Sequence, residues 1–177
     1  MKKILFALII ALSFLSAYAD GVAGIEWGTT IEQTESKLNK RFGECAYRYP
    51  SKLMYRDVRI GGVNFYNAFF DFAWNEGETF FYAATFFSKR YDDLPSVIDG
   101  VDNIVEKLSS KYKIQYQTYD LLALSPDNDV LIATGGEDPF NSNRHLFGIY
   151  LTEYSHGGYS YIVHYRITLP FNEVDEL

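Results

Sequence analysis

The spacing of apolar residues changes repeatedly along this chain, and each change of period marks a new element. The first block, Ile4 to Leu15, is apolar apart from Ser13, follows Met1-Lys2-Lys3 and precedes Ala17-Tyr18-Ala19. A basic start, an apolar run and small residues two apart predict a secretory signal peptide over 1–19, with the mature chain beginning at Asp20. The run is shorter than the ~20 residues a helix needs to cross a bilayer, so a retained anchor is the weaker reading.

A helical period comes next. Thr30 with Gln33, or Thr29 with Glu32, offers a capping box for a helix from about Ile31 to Arg41, in which Ile31, Leu38 and Phe42 share a stripe. Gly43 supplies its C-terminal cap. A second apolar stripe, Val97, Val101, Ile104, Val105, Leu108 and Tyr112, predicts a helix beginning near Pro95, with Asp93 or Ser96 as its cap. Gly100 lies inside it at a cost of up to ~1 kcal/mol relative to Ala, which points to close packing at that position.

Elsewhere the period is two. Asp57 to Ile60 reads as a short strand, or as one running on toward Val63 through a bulge or turn at Gly61-Gly62. Asn64 to Trp74 places Tyr66, Ala68, Phe70, Phe72 and Trp74 on one face, with Asn67 and Asp71 on the other; Asn75 to Glu78 turns the chain and Thr79 to Ser88 returns it. Lys113 to Tyr119 and Asp129 to Thr134 are expected strands on either side of a Ser125-Pro126-Asp127-Asn128 turn. Leu146 to Tyr154 and Tyr159 to Leu169 form a second long hairpin about Ser155 to Gly158, and a turn centred on His156 and Gly157 sets His164 opposite Ile149, with His145 several rungs away. Tyr159, Tyr161 and Tyr165 alternate with polar residues and read as structural.

The fold class is therefore α+β: two helices, each followed by antiparallel strands ending in a long hairpin. Residues 20–177 are expected to form a single mature α+β domain. The recurrence of element order suggests a tandem α-β repeat with halves near 20–92 and 93–177, although residue identities do not align well.

Composition sharpens the picture in two ways. Fifteen Tyr, 14 Phe and 2 Trp supply strand-forming rings, each worth about 1.5–3 kcal/mol when buried. They fill a core or, for surplus Tyr on a sheet face, make a protein-binding or sugar-stacking surface. The formal charge is -7, and more negative by two without Lys2 and Lys3, with no basic cluster. Such a chain repels phosphate backbones and anionic lipid, so neither nucleic acid nor a stable membrane anchor is expected as a partner. Cys45 is the only cysteine; it cannot form an intramolecular disulfide and reads as a small, buried or half-buried apolar residue. Because Asp20, not Cys, follows Ala19, no lipid tether is expected.

Catalytic signatures are missing from the sequence. The three His residues have no ligand-grade spacing, and the Asp127-Asn128-Asp129 and Glu137, Asp138, Asn141, Asn143 clusters lack the alternating spacing of a calcium loop; they read as turn chemistry. No Gly-x-Ser-x-Gly elbow is present, no cofactor is implied, and Asp71, inside an aromatic strand, reads as a solvent-face charge. The segment Gly24-Ile25-Glu26-Trp27-Gly28-Thr29-Thr30, running into a helix that ends at Phe42-Gly43, resembles the opening of many small secreted bacterial proteins of uncharacterised function. Their shape is similar to the helix-plus-sheet modules of β-lactamase-inhibitor protein and of small lipoproteins in outer-membrane assembly. The resemblance implies binding of other proteins through a sheet, without chemistry; the chain departs from it in lacking a lipid-bearing Cys and cysteine pairs, and no functional residue is carried over.

The expected function is an exported, periplasmic or secreted, non-enzymatic binding protein that holds a protein or cell-envelope component. Trp74, Tyr154, His156 and the 135–143 loop, with Glu137 and Asn141, are the candidate contact surface. An exported hydrolase or carbohydrate-active protein built on distant carboxylates is the alternative, and a structural subunit of an envelope assembly is the third.

Overall fold

Thr30 begins the first helix in the structure, as its capping chemistry requires. Its side chain accepts a hydrogen bond from the Gln33 N–H at 3.3 Å, choosing between the two predicted boxes. In this computed structural model, which describes residues 21–117, 124–126, 128–169 and 171, the helix is α1, Ile31–Phe42. It ends at Gly43, whose φ of 86° only glycine adopts at low cost. The second helix, α2, is Leu94–Ser109; Asp93 caps it by accepting from the Ser96 N–H at 2.8 Å. It stops before Tyr112, which the stripe had included; the Tyr112 N–H still bonds the Leu108 carbonyl, and its ring packs on Phe147. Gly100 does mark a close approach, because a Cβ there would lie 2.7 Å from the Tyr91 hydroxyl and 2.9 Å from the Tyr161 ring.

Eight strands follow the helices: β1 Tyr47–Tyr49, β2 Lys52–Ile60, β3 Val63–Asn75 and β4 Glu78–Phe87 after α1, then β5 Ile114–Tyr116, β6 Val130–Gly135, β7 Phe147–Glu153 and β8 Tyr159–Arg166 after α2. They form one antiparallel sheet in the order β1-β2-β3-β4-β8-β7-β6-β5. The fold is α+β. Two meanders are thus joined at their last strands, β4 against β8, with Ala84 paired to Tyr165 and Phe86 to Val163. The predicted turn at 125–128 keeps its Ser125–Asn128 bridge, while Asp127 and the Tyr119 end of the expected strand lie outside the described residues.

Several boundaries and faces differ from the sequence reading, each for a local reason. β2 begins at Lys52, because Lys52 to Tyr55 pair with Asp71 to Ala68, a long-range register that no local alternation reveals. On β3, Tyr66 is 56% exposed and Phe65 is buried instead. Asp57, at φ 52°, and Tyr66 drop out between the Arg56–Asn67 and Val58–Phe65 pairs, and the alternation on both strands resets by one. Trp74 is 53% exposed because it stands at the hairpin tip, beyond the buried rings. A bulge at Tyr82, between the Asp71–Ala83 and Phe72–Phe81 pairs, shifts the phase of β4 as well. The β7–β8 turn spans five residues, Tyr154 to Gly158, so His164 pairs with Gly148 and not with Ile149.

Both helices bury their stripes in one cluster with one phase of the sheet. At its centre, rings run across five strands: diagonally from Tyr55 to Phe70 at 5.9 Å, Phe70 to Phe86 at 5.9 Å and Phe86 to Tyr165 at 6.0 Å, then directly across from Tyr165 to its partner Phe147 at 5.1 Å between centroids. Alanines make this possible. Ala68 pairs with Tyr55 and Phe86, and Ala84 pairs with Phe70 and Tyr165, so each of these four rings has a small neighbour directly across and a large one on the diagonal. Tyr161 and Tyr165 are buried in the core as expected, and Cys45 is half-buried against it.

Two substitutions test this packing. Phe70→Ala should lower the unfolding free energy by about 3–5 kcal/mol through lost contact and a residual cavity. Ala84→Leu should lower it by about 1–3 kcal/mol through overpacking. Urea denaturation of both variants checks this; a neutral Ala84→Leu would show that the alanines are not spacers.

Candidate functional site

The strand residues of the opposite phase stand on the face of the sheet that neither helix covers. Cross-strand registers order them in rows. One row runs Met54, Phe69, Thr85, His164, Gly148, Thr134 across six strands, roughly 24 Å at ordinary strand spacing. The next runs Asn67, Phe87, Ile162, Tyr150, Leu131. Met54, Phe69, Phe87, Ile162, Tyr150 and Leu131 are half-buried, and none belongs to the core cluster. Phe69 and Phe87 meet edge to face at 5.6 Å. Charge lies beside this apolar strip: Lys52 pairs with Asp71 at 2.9 Å and its ammonium sits over the Phe69 ring.

His164 is the polar centre of the face. Its Nδ1 lies 2.9 Å from the Thr85 hydroxyl. Burial holds its pKa below the ordinary 6.5, the Arg166 charge pushes the same way, and Asp71 opposes them. The imidazole is therefore neutral at neutral pH. Gly148 opposite leaves room for the Tyr150 ring, which folds back so closely that a Cβ at Gly148 would lie 2.8 Å from it. Together Thr85, Phe87, Asp129, Tyr150, Ile162 and His164 line an open depression of about 290 Å³. Asp129 accepts from the Thr152 hydroxyl at 2.8 Å, and no carboxylate among the described residues bonds the His164 ring. The face offers apolar contact with a few oriented polar groups, and His164 lacks the carboxylate that would orient a general base.

The residues singled out from sequence do not converge on one surface. Tyr154 and His156 sit together at the β7–β8 turn. The Tyr154 hydroxyl donates to Ser160 at 3.0 Å, its ring lies under the Arg90 guanidinium, and Arg90 also donates to the carbonyls of His156 and Gly157. Arg90 was missed because nothing local to it signals the contact; the Tyr91–Tyr159 bridge delivers it. Trp74 is at the other end of the sheet, because β4 runs antiparallel to β8 and separates the two hairpin tips by its length. Glu137 and Asn141 belong to the β6–β7 loop. There Asp138 is buried, accepting from the Phe140 N–H and from both the N–H and hydroxyl of Thr168, while Asn141 accepts from the Asn143 N–H. This is turn chemistry. Glu137 lines a shallow depression with Lys111, Lys113, Arg144 and His145. His145 and His164 line another of about 200 Å³, closer than the expected register implied. Among the described residues, no three His, Cys, Asp or Glu side chains are grouped to hold a metal.

Comparison of the chain with family models, with curated proteins and with solved structures finds no match.

The His164 environment carries a pH prediction. Because its folded pKa is depressed, the unfolded chain binds more protons between the two pKa values; the contribution to stability is present above about pH 6.5 and is lost as pH falls through the folded value. Between pH 7.5 and 5.5 the native protein should lose more stability than His164→Gln, read as urea midpoints. Parallel losses in the two proteins would show that His164 is not the titrating group.

Proposed function

We propose that the protein is an exported, non-enzymatic binding protein that holds a protein or cell-envelope partner on the uncovered face of its sheet. One observation carries this reading: an eight-stranded sheet has both helices on one face and a contiguous, half-buried apolar strip on the other. Antiparallel sheets often have one face toward water, but that face is then dominated by polar residues, and a contiguous apolar strip rimmed by charge is the usual mark of a contact surface. As in the modules that the opening segment resembles, the contact element is the sheet. Phe69, Phe87, Tyr150 and Ile162 are its apolar anchors, and Lys52, Asp71, Asp129 and Arg166 surround them. The contact surface proposed here replaces the grouping of Trp74, Tyr154 and His156, which the topology divides between two ends.

The test is capture of a partner from envelope extract by immobilised mature protein. A Phe69→Glu, Phe87→Asp variant that keeps its urea midpoint within the ordinary range for surface changes should lose the partner retained by the native chain. Tyr116→Ser, on the short edge strand β5, should retain it. Equal capture by the double variant would exclude this face.

A further inference from the structure

The covered face of the sheet holds a second feature, independent of the contact surface just described. α1 packs over β2 and β4 and α2 over β5 and β8, and between their last turns a cavity of about 490 Å³ remains open. Most of its lining is apolar: Val63, Phe65, Phe86 and Val163 from the sheet and Ile104 and Leu108 from α2, with Tyr112, Tyr165 and Ser110 adding hydroxyl groups. Arg41 from the last turn of α1, Lys107 from the last turn of α2 and Lys111 just beyond it all line the cavity, and among the described residues no Asp or Glu does. In a chain with a formal charge of -7, three cations and no acid among the described residues that line one cavity are a local reversal of sign.

The cations are held in place by the fold. The Arg41 guanidinium donates to the Ala23 carbonyl at 2.5 Å, which fixes it against the Val22–Ile25 turn that forms one wall and leaves further N–H donors on the same fork. The Lys107 ammonium lies 3.6 Å from where a Cβ of Gly62 would stand, over the β2–β3 turn, and forms no ion pair among the described residues. Basic residues in a last helical turn complement the helix dipole in any protein. Here the two turns bring theirs to the same opening, above a cavity in the size range that encloses a small ligand.

We propose that this cavity binds a long-chain fatty-acid carboxylate, with the acyl tail on the Phe65–Phe86–Val163 floor and the carboxylate among Arg41, Lys107 and Lys111. The apolar part of the lining favours a hydrocarbon tail, and the cations select an anionic head. An arginine fork matches a planar carboxylate bidentately, with the lysines adding charge.

Fluorescence titration with cis-parinarate, which brightens on entering an apolar site, tests the proposal on the whole mature protein. Parinarate should bind, palmitate should displace it, hexadecanol should compete at least about tenfold less well, and acetate should not compete. Lys107→Glu with Lys111→Glu, both changes at the rim, should weaken parinarate about tenfold or more while the circular dichroism spectrum is unchanged. Ile104→Trp or Leu108→Trp, either of which fills the cavity, should abolish binding, and Phe87→Asp on the opposite face should leave it intact. Absence of binding, equal competition by hexadecanol, no effect of the rim charge reversals, persistence in both filling variants, or loss in Phe87→Asp would each overturn the proposal. None of these results bears on partner capture by the uncovered face, so the two readings fail separately.

Discussion

The structure depends on the diagonal stacking of rings across the β4–β8 seam. Phe70 and Phe86 belong to the first meander, Tyr165 and Phe147 to the second, and the Phe86–Tyr165 contact joins them above the Ala84–Tyr165 backbone pair. Without that seam each meander would expose an edge strand and half a hydrophobic face. With it, one core spans both halves, and a chain whose only thiol is Cys45 holds together without a disulfide. Ala68 and Ala84, each directly across from two of these rings, leave room for Tyr55, Phe70, Phe86 and Tyr165 to meet on the diagonal.

The same seam produces both features proposed as functional. By aligning the meanders into one sheet, it puts both described helices on a single face and leaves the other face, from Met54 to Leu131, uncovered by either of them. The helices do not close over that face entirely: the cavity lined by Arg41 and Lys107 from their last turns remains. A neutral imidazole at His164 in the uncovered face and three cations lining the cavity give the two surfaces distinct chemistry, although the chain as a whole is acidic.

Much of the local architecture was legible in the sequence, because local rules govern it. The Thr30 cap, the Gly43 stop, the Val97–Val105 stripe and the two long hairpins follow from capping, periodicity and turn chemistry within a few residues. What escaped depends on pairs far apart in the chain. A reset at Asp57 and Tyr66 reverses which residues of β2 and β3 are inside, so Tyr66 leaves the face assigned to it, a bulge at Tyr82 does the same to β4, and Trp74 keeps its phase but is exposed at the hairpin tip. The five-residue β7–β8 turn moved His164 by one rung. Neither candidate surface had a sequence signature: Phe69 and Ile162, or Arg41 and Lys107, become neighbours only through strand order and helix placement, and alternation alone cannot say which face the helices cover.

The central claim, that the β4–β8 seam makes the two meanders one cooperative structure, is tested most directly by native-state hydrogen exchange. The amides of Phe86 and Val163 at the seam, Tyr55 in the first meander and Ile149 in the second should exchange only through global unfolding, with the same free energy and the same dependence on denaturant. Two groups of amides opening with different free energies, β1–β4 apart from β5–β8, and a seam that exchanges faster than either, would contradict it.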